Sequence, residues 1–174
     1  LRVPLGNKRQ SGVLTPTFGY ASSNGATIVV PYYFNIAPNY DATLYPAILG
    51  ERGVRLGAEY RYLTRWGSGQ LYGEYMPNDK KTNDARYYWM VQHTTRGDLG
   101  KGQWRADVNW QKVSDKDYID DFGSRIADTA SRTIPSTFSL QYKDDDLYMR
   151  LRRKTYQTMQ DSANSVEVPY DFEP

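Results

Sequence analysis

Between residues 54 and 62 the chain alternates without a break. Val54, Leu56, Ala58, Tyr60 and Tyr62 fall on one parity, and Arg55, Gly57, Glu59 and Arg61 on the other. The same rhythm returns at 104–111, where Trp104, Ala106, Val108 and Trp110 alternate with Arg105, Asp107, Asn109 and Gln111. It returns again at 147–154, where Leu147, Met149 and Leu151 oppose Tyr148, Arg150, Arg152 and Lys154. Only an extended strand sends successive side chains to opposite faces. These stretches therefore cannot be amphipathic helices. They belong to a sheet with one apolar and one charged face.

Strand signals recur along the whole chain. They predict about nine strands, near 13–21, 26–35, 42–49, 54–64, 70–76, 86–95, 103–113, 137–143 and 147–156. Turn-forming residues separate them, including Ser23-Asn24-Gly25, Pro38-Asn39, Pro77-Asn78-Asp79 and Asp144-Asp145-Asp146. Strands joined by links this short form an antiparallel meander. The closing residues 170–174 do not read as a strand.

Strands of about ten residues, apolar on one side and polar on the other, suit a transmembrane β-barrel. Aromatic residues gather near strand ends, at Tyr32, Tyr33 and Phe34, at Tyr60 and Tyr62, and at Tyr87, Tyr88 and Trp89. In that setting they read as interfacial girdles. An all-β arc of a large barrel is the expected fold, because only a closed barrel pairs every strand in lipid. An odd strand count places the remaining strands beyond residue 174. The links 37–39, 65–69, 98–102 and 144–146 are short, whereas 77–85 and 114–135 are longer. That asymmetry puts the N-terminus on the periplasmic side. Two other architectures share the alternation: a passive porin-type channel, and a soluble carbohydrate-binding β-sheet module with one wet face.

Chemistry-bearing motifs are not found. There is no phosphate-cradling glycine loop, zinc-protease helix or nucleophile elbow, so neither catalysis nor a cofactor is expected. The chain has no cysteine and one histidine, which makes a metal site at His93 a poor expectation and a structural role the better one. The carboxylates of 115–121 could take calcium, but their spacing matches no known loop, and a solvated loop is expected. Net charge is +2 with basic residues spread out, which does not suggest a nucleic-acid partner. The polar strand faces carry Arg55, Glu59, Arg61, Arg105, Asp107, Arg150, Arg152 and Lys154. In a barrel these line the lumen, either as a positive path for acidic cargo or as polarity balanced by Glu59 and Asp107.

The first hairpin, 14–33, carries a proline on each arm, Pro16 and Pro31. A turn centred between Ser23 and Asn24 sets them face to face. A two-residue Asn24-Gly25 loop sets them two residues apart. Either way two ladder donors are lost from one patch of sheet.

Residues 4–12 (Pro-Leu-Gly-Asn-Lys-Arg-Gln-Ser-Gly), 31–43 (Pro-Tyr-Tyr-Phe-Asn-Ile-Ala-Pro-Asn-Tyr-Asp-Ala-Thr), 59–63 (Glu-Tyr-Arg-Tyr-Leu) and 112–115 (Lys-Val-Ser-Asp) resemble the LptD family of lipopolysaccharide-assembly proteins. The resemblance covers about residues 4–143. It implies a lead-in at 1–10 from a periplasmic β-jellyroll, with the first barrel strands in 11–174. It implies residence in the outer membrane among its lipids, a lipopolysaccharide cargo, the periplasmic Lpt bridge and the lipoprotein plug LptE. It also implies a lateral gate between first and last strands, loosened by two prolines that match Pro16 and Pro31. The family's disulfide cysteines have no counterpart here.

Overall fold

The structure, a computed structural model, describes residues 9–122, 133–159 and 171–173. Its strands are β1 Gly12–Val13, β2 Thr17–Ala21, β3 Gly25–Val29, β4 Tyr32–Ala37, β5 Tyr40–Leu49, β6 Gly53–Leu63, β7 Gly67–Met76, β8 Arg86–Leu99, β9 Gly102–Val113, β10 Thr133–Lys143, β11 Tyr148–Thr158 and β12 Asp171–Glu173. One short helix, α1 Tyr118–Phe122, lies between β9 and β10. All twelve strands join one sheet, every pairing is antiparallel, and from β5 onward the order follows the chain. The sheet is not closed, as an arc of a barrel requires. No helix among the described residues is long and apolar enough to cross a membrane.

The meander is as expected, with two differences. Each arm of the first hairpin is broken in two, at the prolines, so β1 and β2 replace one expected strand and β3 and β4 another. Near the end, β12 pairs with Arg152, Arg153 and Lys154 of β11, where the composition of 170–174 suggested no strand. Backbone ladder bonds need no particular side chain, so a short edge pairing leaves little compositional trace.

Parity sorts the faces. On one face Ile48 opposes Val54, Leu56 opposes Tyr75, Leu71 opposes Val91, Val91 opposes Trp110, and Leu140 lies between Ala106 and Leu151. Ile48, Val54, Leu56, Leu71, Trp110, Leu140 and Met149 are all exposed. Arg153, opposite Phe138, interrupts this face. An apolar surface crossing the whole sheet is far beyond what a soluble domain exposes, and it disfavours the carbohydrate-binding module. Where Gly73 lies opposite Trp89, the indole covers the glycine so closely that a Cβ would come within 2.2 Å of the ring. At the end with the shortest links the same face carries a ring stack, Tyr40 on Tyr60, Tyr60 on Tyr62 and Tyr62 on His93. Tyr62 Oη lies 2.6 Å from His93 Nδ1, so the histidine is structural, as expected.

The girdle expectation needs one correction. Tyr33 and Tyr88 face the other way, because alternate residues must. Tyr33 reaches Asp41 and Tyr88 is 1% exposed in the core.

The charged face also differs from expectation over half its height. At the end bearing the longer links, α1 folds back over it. Tyr118, Ile119 and Phe122 pack with Ala47, Leu49, Tyr72, Met76, Tyr88, Val113 and Ile134 into a small dry core.

Candidate functional site

The first hairpin turns through Ser22, Ser23 and Asn24. The Asn24 N–H donates to the Ala21 carbonyl at 3.1 Å. Gly25 follows at φ +70°, a conformation that glycine adopts without strain. The resulting register pairs Thr17 with Val29 and Ala21 with Gly25, one step from a turn centred between Ser23 and Asn24. Lower down, Val13 pairs with Tyr32. Three residues, 14–16, therefore face two, 30 and 31. The prolines occupy a bulge.

Hydrogen-bond phase decides which donor each proline removes. The Leu14 N–H donates to the Pro31 carbonyl at 2.8 Å, and the Val30 N–H to the Pro46 carbonyl at 3.1 Å. A residue facing a neighbour in a hydrogen-bonded pair presents both its N–H and C=O to it. Pro31 thus fails to return a bond to Leu14, in the ladder between the two arms. Pro46, in β5, fails to return one to Val30, in the next ladder. Val30 bonds toward β5, so Pro16, which lies across from it, has its nitrogen turned to the open edge of the sheet. The two expected prolines do not weaken one patch. Pro31 and Pro46 interrupt two successive ladders, one each, and Pro16 leaves its missing donor on the edge that is unpaired among the described residues. Pro46 was legible as a mid-strand proline, but its bonding phase was not.

The eight expected charged residues share one face, but not one environment. Arg61 grips Asp41 with Nε at 2.8 Å and Nη2 at 2.9 Å, and lies 3.6 Å from Glu59, which accepts from Tyr45 Oη. Arg9 and Tyr33 also reach Asp41. Arg105 lies along its own strand on Asp107, which also accepts from Thr94 Oγ1. Arg150, Arg152 and Lys154 stand together on β11, with Lys154 Nζ 5.0 Å from the Tyr156 ring centroid. Local balance, rather than an unbroken positive path, describes Arg61 and Arg105. Asp41, which takes most of those bonds, lay outside the expected set.

Arg55 belongs to a different group. It pairs with Glu74 at 3.0 Å beneath α1, and Glu74 accepts from Tyr118 Oη at 2.6 Å and from Tyr72. Above it Arg52 and Arg86, almost wholly buried, share Asp79 and Asp121, and Arg86 also holds Asp115 at 2.7 Å. The Phe122 ring lies about 5 Å from all three guanidinium carbons. This knot reaches the hairpin tip, since Arg52 Nε donates to the Ser23 carbonyl at 3.0 Å and Asn24 Nδ2 to the Asp121 carbonyl at 2.9 Å. The expectation of a solvated loop at 115–121 is overturned in part: Asp115 and Asp121 are spent on buried arginines through charge-assisted bonds, whereas Lys116, Asp117 and Asp120 stay exposed. Nothing local announces Arg52, because its carboxylate partners lie 27 and 69 residues away.

Burial pushes the Asp79 carboxyl up. The Lys81 N–H and the Arg52 and Arg86 guanidiniums more than offset this and hold it below its ordinary range. A depressed carboxyl contributes stability above its unfolded pKa and loses it as pH falls. Protection factors of the amides of 79–84, with the intrinsic pH dependence of exchange divided out, are therefore expected to hold from neutral pH to about 5 and to fall below about 4. Protection that falls on alkalinisation instead would contradict this.

A sheet with a membrane-wide apolar face, an aromatic band and a charged reverse face is the wall of a transmembrane β-barrel. Residues 86–174 match the family model of LptD, LPS transport system D, over about half the chain. The chain belongs to the LptD family. It is 41% identical over 98% of its length to the LPS-assembly protein LptD of Ralstonia nicotianae, and 41% over 98% to that of Alkalilimnicola ehrlichii. It is 38% identical over its full length to that of Vibrio vulnificus YJ016. The chain spans about a fifth of these relatives, 21 to 22% of each.

Proposed function

We propose that the chain is the first arc of an outer-membrane barrel that passes lipopolysaccharide to the cell surface through a lateral gate at β1–β4. Its apolar face meets the bilayer, and its charged face, with Arg55, Glu59, Arg61, Arg105, Asp107, Arg150, Arg152 and Lys154, lines the lumen. Polar head groups travel inside while the acyl chains leave sideways. A lipoprotein plug within the barrel and a periplasmic bridge that delivers cargo complete the assembly. The arc positions and separates; it performs no covalent chemistry.

The observation that carries this reading is the missing donor at each of the first two arms. Pro16 blunts the free edge, which in a closed barrel meets the last strand. Pro31 loosens the arm behind it. A seam lacking these bonds opens more readily than its neighbours, each bond being worth about 0.5–1.5 kcal/mol.

The test is the full-length parent protein with Pro16→Ala and Pro31→Ala together, which restores both donors. Newly made lipopolysaccharide reaching the surface, followed by pulse labelling, is expected to fall by about 5- to 150-fold, the range set by 1–3 kcal/mol. Unchanged delivery from a correctly folded double variant would remove the gate from these strands.

A further inference from the structure

The cations of the charged face are distributed unevenly along the strands. At the long-link end, Arg52, Arg55 and Arg86 are matched by Glu74, Asp79, Asp115 and Asp121. At the opposite end the match holds for Arg61 and Arg105 but fails for the cations beside them. Arg96 of β8 lies directly opposite Arg105 of β9 in the register, and Lys143 follows on β10, opposite Gln103. Like charges directly across a strand pair repel. Arg105 has Asp107, but among the described residues no ion pair holds Arg65, Arg96 or Lys143.

These groups surround a cavity of about 620 Å³, open to solvent, walled by Arg65, Arg96, Arg105 and Lys143 with Trp66 and Trp104. One carboxylate, Asp98, joins them, and Gln103 Nε2 faces it at 3.4 Å. The link 64–66 is held in place by the Arg96 N–H, which donates to the Trp66 carbonyl at 3.2 Å, and by the Arg65 guanidinium, 4.0 Å from the Trp66 ring. With Arg105 already held by Asp107, three unmatched cations, Arg65, Arg96 and Lys143, stand against one carboxylate, Asp98, and make an anion site.

We infer that this cavity binds a phosphoryl group carried on a larger polar molecule. The Arg65 and Arg96 guanidiniums, neither paired with a carboxylate among the described residues, offer forked N–H donors, the geometry that a phosphate with three terminal oxygens satisfies and a single carboxylate does not. The volume is that of a site for a sugar-sized ligand rather than a bare ion. Resting on the translocation reading above, the site would be where a phosphorylated head group first meets the barrel wall, at the end opposite the knot.

The test uses the full-length protein, purified with its natural partners in detergent. Binding of lipopolysaccharide carrying its phosphates is compared calorimetrically with the same lipid after enzymatic dephosphorylation, with inorganic phosphate as a third probe. The phosphorylated lipid is expected to bind at least ten-fold tighter, and Arg65→Gln with Arg96→Gln to abolish that preference. Arg96→Lys should keep only part of it, since an ammonium holds the charge without the fork, which separates charge and fork from misfolding. Inorganic phosphate that binds as tightly as the lipid supports the anion site and makes the free ion its ligand. Equal binding of the two lipid forms, or a preference that survives the double Gln variant, overturns the site. Export that fails in that variant while the preference survives would remove the site and leave the translocation reading intact.

Discussion

Arg86→Met is expected to cost about 3–5 kcal/mol, because it removes one side of a buried charge group and leaves the others in place. The Arg86 side chain is 2% exposed and serves Asp79, Asp115 and Asp121 at once. Methionine preserves much of the volume but none of the donors. Asp79, wholly buried, would then depend on Arg52 and the Lys81 N–H alone. The loss should fall on the long-link end: α1 should detach from Tyr88 and Tyr72, and residues 114–122 should become open to protease in intact cells. Arg86→Lys should land between the two, since one ammonium cannot reproduce a planar fork. Adding Asp79→Leu to Arg86→Met should recover part of the loss, as an apolar pair replaces a broken ionic one. Wild-type protease resistance in Arg86→Met would mean that the knot contributes nothing to holding the link.

The second large effect tests which face meets lipid. Val108 lies mid-strand on the apolar face of β9, opposite His93 and Phe138. Asn109 is its neighbour on the charged face, opposite Gln92 and Thr137. Val108→Arg should destabilise the inserted barrel by about 2–4 kcal/mol, the cost of a charge near the bilayer midplane. Asn109→Arg should change little, within about 0.5 kcal/mol. Urea titration of the full-length protein refolded into phosphatidylcholine vesicles measures both. Equal penalties at the two positions would refute the assignment of faces. The existing Arg153 does not weaken the comparison, because both variants share it as background.

Both outcomes depend on different amounts of prior legibility. The faces of β6, β9 and β11 could be read from alternation, and the structure places Arg55, Arg105 and Lys154 on the side the parity required. The links were legible too, from glycine, proline, asparagine and aspartate. The knot was not. Asp121 looked like one of several carboxylates in a polar loop, and its bonds to Arg52 and Arg86 span 69 and 35 residues. Tyr88 looked like part of an aromatic band and proved to be core, because a helix from a distant link covers it.

The hairpin shows the same division within a few residues. Two prolines on paired arms were visible at once, and so was the loss of two donors. Their consequence depended on register, and register turned on Gly25 adopting a left-handed conformation that shifted the pairing by one step. It depended also on β5, whose Pro46 accepts from Val30 and so sets the direction in which Pro16 points.

The long strands and the side to which each of their residues turns were settled by the sequence alone, because side-chain direction in an extended chain is a local property of the backbone. Which carboxylate answers which arginine, and which ladder each proline interrupts, were settled only by the tertiary structure. Those outcomes depend on neighbours brought together from far along the chain, and no local pattern encodes their alignment.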